Sequence, residues 1–300
     1  MQQTILPCGI LPIYKEKGMT SHDCVNIARR LFNTRAVGHT GTLDPMAEGI
    51  LVLLVGRATK LERFLVSDSK EYSATLRLGI ETDTEDTTGE ILKTYDAVPE
   101  IYAVKAAAKS MLGESEQLPP MYSAVKIGGK KLYEYAREGK EVERKGRKIT
   151  VSAIDCEMLT DTDYKLDCTV SSGTYIRTLC ADIGRKLGCG GAMASLLRTR
   201  AGRFNLDDCV RIDALREEEY EERLSHLIPP INALDGERIT FPPFFERLYL
   251  SGCEIYQKKI GTSFNVGERV LVFSDGGDFL SIGSVRQFPQ GTAIKSEIIM

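Results

Sequence analysis

The sequence has few histidines and no closely paired cysteines. Its 300 residues include three histidines and eight cysteines, and no two cysteines form a Cys-x-x-Cys pair. Structural zinc sites use about four Cys or His ligands, usually at such short spacings. The sequence therefore predicts no metal site. It also lacks a Gly-x4-Gly-Lys-Ser/Thr phosphate loop, and we expect no nucleotide or other cofactor.

Apolar runs long enough to cross a membrane are also missing. The start, MQQTILPCGILPIY, has no basic lead and is interrupted by Pro7, Gly9 and Pro12. A signal peptide needs a basic lead and an unbroken apolar core, and a spanning helix needs about 20 apolar residues. Cysteines at apolar positions, such as Cys168 and Cys180, are typical of free thiols in a reducing compartment. We therefore expect a cytoplasmic protein with no membrane segment.

The chain has no overall basic charge, since its formal net charge is -3 and its pI is about 5.8. A nucleic-acid surface would have to come from local clustering of Lys and Arg. Residues Lys126–Lys148 provide such a cluster, with nine basic and four acidic residues around Tyr133 and Tyr135. This composition is typical of an arm that follows a phosphate backbone and stacks on bases. A solvated loop has the same composition, so both interpretations stay open.

Strand and helix patterns are mixed along the chain rather than strictly alternating, which predicts an α+β fold. A chain of 300 residues favours one large and one small domain. The proline-rich segment Ile228–Pro243 separates them, and two apolar runs around Gly276-Gly277 predict a small β-barrel after it. In the large domain the predicted elements are a helix over Thr20–Asn33, strands at Ile50–Val55, Tyr72–Leu78 and Leu166–Val170, and a helix from Ile176 ended by Gly188.

The segment Gly38–Gly49, GHTGTLDPMAEG, is rich in glycine and leads into the strand at Ile50. An isolated Asp-Pro step, such as Asp44-Pro45, most often caps a turn. Glycines also allow a ligand to approach closely, and a carboxylate next to a buried strand is held rigidly. Spacing alone does not separate the capping role from a catalytic one.

The stretch GHTGTLDPMAEGILVL resembles the catalytic motif of the TruB family, the tRNA pseudouridine-55 synthases. The resemblance extends over most of Gly9–Arg200. It implies a catalytic domain over residues 1–237 with a central mixed, mostly antiparallel sheet and an inserted basic thumb arm at about 120–150. The C-terminal residues 241–300 resemble a PUA-like RNA-binding β-barrel. Four further blocks carry the resemblance in order: GILPIYKEKGMTSHD, KEYSATLRLGIETDTEDTTGEI, QLPPMYSAVKIGGKKLYEYAREG and SSGTYIRTLCADIGRKLG.

The resemblance implies three catalytic residues. Asp44 matches the catalytic aspartate, which would act as nucleophile at C1′ or help remove a ribose proton. Arg177 matches the arginine that pairs with this aspartate and keeps it ionised and oriented. Tyr72 matches the tyrosine that stacks on the target base and influences the final proton removal.

Four further residues match positions that contact the substrate: His39, Tyr175, Leu197 and Lys15. Taken alone, His39 would more often be a structural histidine. The usual Asp-Lys-Pro setting of the early lysine reads Tyr14-Lys15-Glu16 here. Without proline the backbone of this first loop is less constrained.

The resemblance implies an isomerase that flips uridine 55 out of the T-loop and converts it to pseudouridine without a cofactor. The expected partner is the T-arm stem-loop of tRNA, bound by a monomer. Two other functions stay open: an RNA-binding tRNA-folding chaperone with secondary or no catalysis, and a related synthase guided by a partner RNA. The combination of Asp44, Tyr72 and Arg177 argues against a pure binding protein.

Overall fold

The computed structural model describes residues 6–66 and 69–300, so the first five residues of the predicted catalytic domain lie outside it. Helices and strands alternate irregularly, as expected for an α+β chain. The strands are β1 Gly9–Lys15, β2 Val37–His39, β3 Glu48–Val55, β4 Ser69–Leu78, β5 Ile80–Thr82, β6 Ile91–Thr94, β7 Gly113–Gln117, β8 Lys126–Ile127, β9 Lys130–Lys131, β10 Arg147–Met158, β11 Asp163–Ser171, β12 Gly191–Ala201, β13 Phe204–Asn205, β14 Val210–Arg211, β15 Glu237–Thr240, β16 Ile255–Tyr256, β17 Arg269–Phe273, β18 Phe279–Phe288 and β19 Gly291–Ile299. The α-helices are α1 Ser21–Leu31, α2 Glu62–Leu65, α3 Ile101–Lys109, α4 Leu132–Arg137, α5 Ile176–Leu187, α6 Ile212–Glu217, α7 Tyr220–Ser225, α8 Pro243–Leu250 and α9 Gln257–Ile260, and 3₁₀ helices cover Gly56–Leu61, Leu206–Asp208 and Pro230–Ala233.

A ten-stranded sheet forms the centre of the larger part of the molecule. Its main path runs β14-β1-β3-β12-β4-β11-β10-β7, with β2 added to β3 and β13 added to β12. The β1–β14 and β3–β12 pairs are parallel, and the other pairs in this sheet are antiparallel. The predicted mixed, mostly antiparallel sheet is therefore confirmed.

Strand β4 alternates between a buried and a half-exposed face, because successive side chains of a strand point to opposite sides. Its apolar buried face packs in the main core with residues of α5. The expected alternation from Tyr72 to Leu78 is confirmed, and the strand begins three residues earlier, at Ser69. Lys70 occupies a buried position of this face, two residues before Tyr72.

Helix α1 begins where its capping signal predicts. Thr20 accepts a hydrogen bond from the Asp23 backbone N–H, and the Asp23 carboxylate accepts one from the Thr20 backbone, which completes a capping box. The helix ends at Leu31, two residues before the predicted end at Asn33, which has a φ of 48°. Its apolar stripe, including Cys24 and Ala28, packs in one core cluster with side chains of β1 and β3.

The C-terminal strands form a separate five-stranded sheet in the order β15-β17-β18-β19-β16. It surrounds its own apolar cluster, in which Phe241 and Tyr249 are fully buried. The predicted turn before β18 is present, with Gly277 at a φ of 87°. The sheet already begins at Glu237, inside the segment that joins the two predicted domains.

The segment between β7 and β10, which holds the basic cluster, is folded rather than extended. It contains the β8–β9 hairpin and α4, and Leu132 at the start of α4 is fully buried. The ammonium of Lys130 lies 4.8 Å from the Tyr135 ring centre, and that of Lys131 lies 5.3 Å from the Tyr133 ring centre. Both expected aromatic rings therefore contact cations of the arm itself.

Candidate active site

Asp44 lies on the loop between β2 and β3, and this loop is fixed from several sides. The Leu43 backbone N–H donates to Ser21 Oγ at 2.8 Å, and Ser21 Oγ donates back to the Leu43 carbonyl at 3.1 Å. A turn is closed by a 3.0 Å bond from the Ala47 N–H to the Asp44 carbonyl. Leu43 and Ala47 are buried in the main core. These contacts hold the aspartate in one place.

Lys15 lies beneath this loop and is fully buried. Its ammonium donates to the carbonyl oxygens of Ala47 at 2.6 Å, Glu16 at 3.0 Å and Pro45 at 3.4 Å. Burial is the main cause that lowers the pKa of Lys15. The structure thus places the predicted substrate contact against the loop backbone, and any contact of Lys15 with RNA stays a prediction.

Gly49 lets the loop join the sheet. Its φ is 101°, and a Cβ at this position would lie 2.3 Å from the Arg198 carbonyl oxygen. Only glycine accepts both the positive φ and this backbone approach. The approach allows β3 to pair in parallel with β12, with Leu197 opposite Glu48. Leu197, a predicted pocket residue, is half-buried beside Gly49.

The Asp44 carboxylate and the Arg177 guanidinium form a two-point ion pair. Arg177 Nε donates to Asp44 Oδ2 at 2.8 Å and Nη2 donates to Oδ1 at 3.3 Å. Two other N–H groups donate to the carbonyls of Thr84 and Tyr122, each at 2.9 Å. The Arg177 side chain is 5% exposed, whereas 34% of the Asp44 side chain is open to solvent. The arginine therefore holds the carboxylate from behind and leaves an accessible edge.

Asp86 supports Arg177 from the other side, a role that pattern reasoning missed. It is buried, and its Oδ2 lies 3.7 Å from Arg177 Nη1. Asp86 Oδ1 accepts hydrogen bonds from the Thr84 hydroxyl and the Thr88 backbone N–H, both at 2.9 Å. The run TDTEDTTG carries the sequence signal, since Thr and Asp form such local side-chain turns.

The start of α5, which carries Arg177, is fixed by Gln117. The Tyr175 N–H donates to Gln117 Oε1 at 2.8 Å, and Gln117 Nε2 donates to the Tyr175 carbonyl at 3.0 Å. Gln117 is buried at the end of β7. Tyr175 is half-buried, with the Arg147 guanidinium 6.0 Å from its ring centre. The buried glutamine was not predicted.

Tyr72 is 8% exposed on β4, opposite Arg198 of β12. Burial raises the pKa of Tyr72, and the positive charge of the nearby Arg198 opposes this rise. Arg198 is itself buried, and its Nε donates to the Ile50 carbonyl at 2.7 Å. Its Nη2 donates to the Gly41 carbonyl at 3.2 Å. Arg198, which was not predicted, thus joins Tyr72 to the Asp44 loop.

His39 ends β2 at the entrance to the same loop and is half-buried. Its Nδ1 accepts a hydrogen bond from the Gly41 N–H at 3.3 Å. Burial lowers the pKa of His39, and the nearby cations Arg198 and Lys70 lower it further. Lys15, His39, Tyr72, Arg177 and Leu197 are therefore each linked to the loop of Asp44 by contacts or pairing, whereas Tyr175 joins the site through α5.

Two family models match consecutive stretches of the chain, both within the predicted catalytic domain at 1–237. The family model for the N-terminal domain of TruB family pseudouridylate synthases matches residues 29–176, and that for the C-terminal domain of tRNA pseudouridylate synthase B matches residues 177–234. The tRNA pseudouridine synthase B of Alkaliphilus oremlandii is 42% identical over 93% of both chains. The chain belongs to the TruB family. Its TruB relative from Bacillus subtilis is 39% identical over 97% of both chains.

Solved structures support the fold of this TruB family member. A Cbf5-Nop10-Gar1 complex contains a chain that matches 98% of this protein with a TM-score of 0.68. The match covers 85% of that chain at 24% identity, which supports the fold alone. It includes the C-terminal sheet, and the predicted α+β class with a PUA-like module is confirmed.

Residues 6–66 and 69–300 contain no group of three or more His, Cys, Asp and Glu side chains that could hold a metal ion. No helix within them is both long and apolar enough to cross a membrane.

Proposed function

We propose that this protein is a tRNA pseudouridine synthase that isomerises uridine 55 of the T-loop, with Asp44 as its catalytic carboxylate. The main support is the geometry of Asp44, a carboxylate with an open edge held from behind by the buried Arg177. Relatives named tRNA pseudouridine synthase B, at 39–47% identity, support the same activity.

The reaction moves uracil on its own ribose. The C1′–N1 bond breaks, the ring turns, a C1′–C5 bond forms, and the proton leaves C5 for N1 through solvent or a side chain. An ionised Asp44 serves this as a nucleophile at C1′ or as the base for a ribose proton. Both routes need a carboxylate oxygen aimed at the sugar, and the two bonds from Arg177 fix that direction.

The remaining site residues surround the place where the flipped uridine would enter. Tyr72 stacks on the base and favours the last proton removal, while Leu197 and Tyr175 line the pocket. His39 contacts the displaced RNA. Lys15 acts as a positioning residue, because its ammonium donates to the Ala47 and Pro45 carbonyls of the Asp44 loop.

RNA binding is assigned to two surfaces. The arm at about 120–150 and the PUA-like domain at 241–300 supply backbone contacts beside the catalytic domain at 1–237. These contacts offset the few kcal/mol needed to unstack a base. We assign the active form to a cytoplasmic monomer that recognises the T-arm by its folded shape.

Tritium release from C5-labelled uridine in a T-arm stem-loop tests the function. We expect release by the native protein and none by Asp44→Asn, which keeps the size of the side chain and binds the same RNA. Asp161→Asn is the matched control, because Asp161 is exposed in the turn between β10 and β11. A native protein that binds both the stem-loop and full-length tRNA without releasing tritium would overturn the proposal and favour a chaperone.

A further inference from the structure

Lys70 is a buried cation with no anionic partner among residues 6–66 and 69–300. It is 8% exposed on the inner face of β4. Within residues 6–66 and 69–300, no carboxylate lies in ion-pair distance of its ammonium and no hydrogen bond from it is formed. Arg177 is buried to a similar degree but contacts both Asp44 and Asp86. The difference singles out Lys70, because buried charges are normally paired.

Three basic side chains meet at Gly41. A Cβ on Gly41 would lie 2.5 Å from Lys70 Nζ and 3.7 Å from Arg198 Nη1. His39 accepts the Gly41 N–H through Nδ1. In its neutral form the imidazole therefore carries its proton on Nε2, and no hydrogen bond from this nitrogen is formed within the described residues. Glycine is needed here, because a side chain at this position would collide with the Lys70 ammonium.

No carboxylate of residues 6–66 and 69–300 forms an ion pair with Lys70 or Arg198. Arg198 uses its donors on carbonyl groups, which carry no net charge. Burial and the neighbouring Arg198 lower the pKa of Lys70 to about 8. The protein thus keeps two cations together at a cost in stability, as binding sites for anions do.

We propose that Lys70 and His39, backed by Arg198, bind one phosphodiester group of the RNA next to the target uridine. The inference rests on the proposed function and deepens it. Lys70 stands two residues before Tyr72, about 7 Å along the strand, a separation comparable with the span of one nucleotide. A base stacked on Tyr72 would bring an adjacent phosphate to Lys70. A single phosphodiester anion can accept hydrogen bonds from one ammonium and one imidazole N–H.

The test combines a protein variant with neutral phosphates. T-arm stem-loops are prepared with one methylphosphonate at a time on either side of the target uridine. Binding is measured for the native protein, for Lys70→Met and for Lys109→Met, an exposed lysine of α3 with the same change in charge. We expect Lys70→Met to bind the unmodified RNA about tenfold more weakly. The slope of log K against log salt should become shallower by about 0.7–0.9.

One of the methylphosphonates should weaken RNA binding by the native protein by a similar factor. It should leave RNA binding by Lys70→Met unchanged. If no neutral phosphate weakens native binding, or if the same substitution weakens both proteins equally, the phosphate site is refuted. A native protein that shows the coupled effect but releases no tritium would instead refute the proposed isomerase.

Folding of the variant is checked by thermal melting. Methionine fills the apolar stem of the lysine and removes an unpaired charge, so Lys70→Met should melt at or above the native temperature. A lower melting temperature would show that Lys70 stabilises the fold and would count against a binding role. The methylphosphonate series on the native protein does not depend on this variant.

Discussion

Replacement of Arg177 tests the arrangement around Asp44 most directly. Arg177→Met removes four hydrogen bonds: two to Asp44 and one each to the carbonyls of Thr84 and Tyr122. Breaking a buried ion pair costs about 3–5 kcal/mol. Because a third of the Asp44 side chain is exposed, water replaces part of the lost contact. We therefore expect a loss of about 3 kcal/mol in the free energy of unfolding.

Arg177→Lys separates charge from geometry. It retains the positive charge, but one ammonium cannot reach both Asp44 oxygens and two carbonyls at once. At least one buried acceptor is left unpaired, which costs about 1–3 kcal/mol. If orientation matters for the chemistry, this variant should also be slow, by about 100-fold or more in single-turnover pseudouridine formation.

Both variants are measured by thermal melting and by single-turnover reaction with excess protein. The loss for Arg177→Met corresponds to about 6–12 °C in melting temperature, using the shift typical of large domains. Arg185→Met is the control, because Arg185 lies on the same helix with 66% of its side chain exposed. A variant at Arg177 that melts at the native temperature and forms pseudouridine within twofold of the native rate would refute the reasoning.

Two further variants test the loop and its histidine. Gly49→Ala should lower the free energy of unfolding, measured by urea denaturation, by at least 2 kcal/mol more than Gly113→Ala does. This difference is about the size of one strained residue. Both glycines have a φ near 100°, but only at Gly49 would a Cβ lie against Arg198. Equal losses would exclude the backbone clash as the cause. Burial and nearby cations lower the pKa of His39 below 6.5, so its contribution to stability is complete above 6.5 and is lost as pH falls through the lowered value. His39→Asn should therefore flatten the loss of stability as pH falls below 6.5, and parallel curves for the two proteins would contradict this.

Periodicity predicted the local parts of this fold well. The Thr20 cap, the apolar stripe of α1 and the alternation of β4 each depend on residues a few positions apart. The resemblance supplied the pairing of Asp44 with Arg177, which no local pattern contains. The roles of the predicted site residues and the division into two domains stay predictions.

The supporting residues were harder to find, because their meaning depends on tertiary contacts. Gln117, at the end of β7, and Arg198, within β12, look like ordinary polar residues until the sheet is assembled. Lys70 had a usable signal, since the alternation from Tyr72 places a lysine on the buried face. That conflict between residue type and position is a common mark of a functional site.

The hydrogen bonds between Asp44 and Arg177 join positions 133 residues apart. A chain growing from its N-terminus exposes the aspartate long before the arginine has been synthesised. Until α5 has formed and docked, the carboxylate lacks the partner that directs it. The active centre thus cannot be completed before residue 177 has been synthesised, and shorter chains lack the Asp44–Arg177 pair.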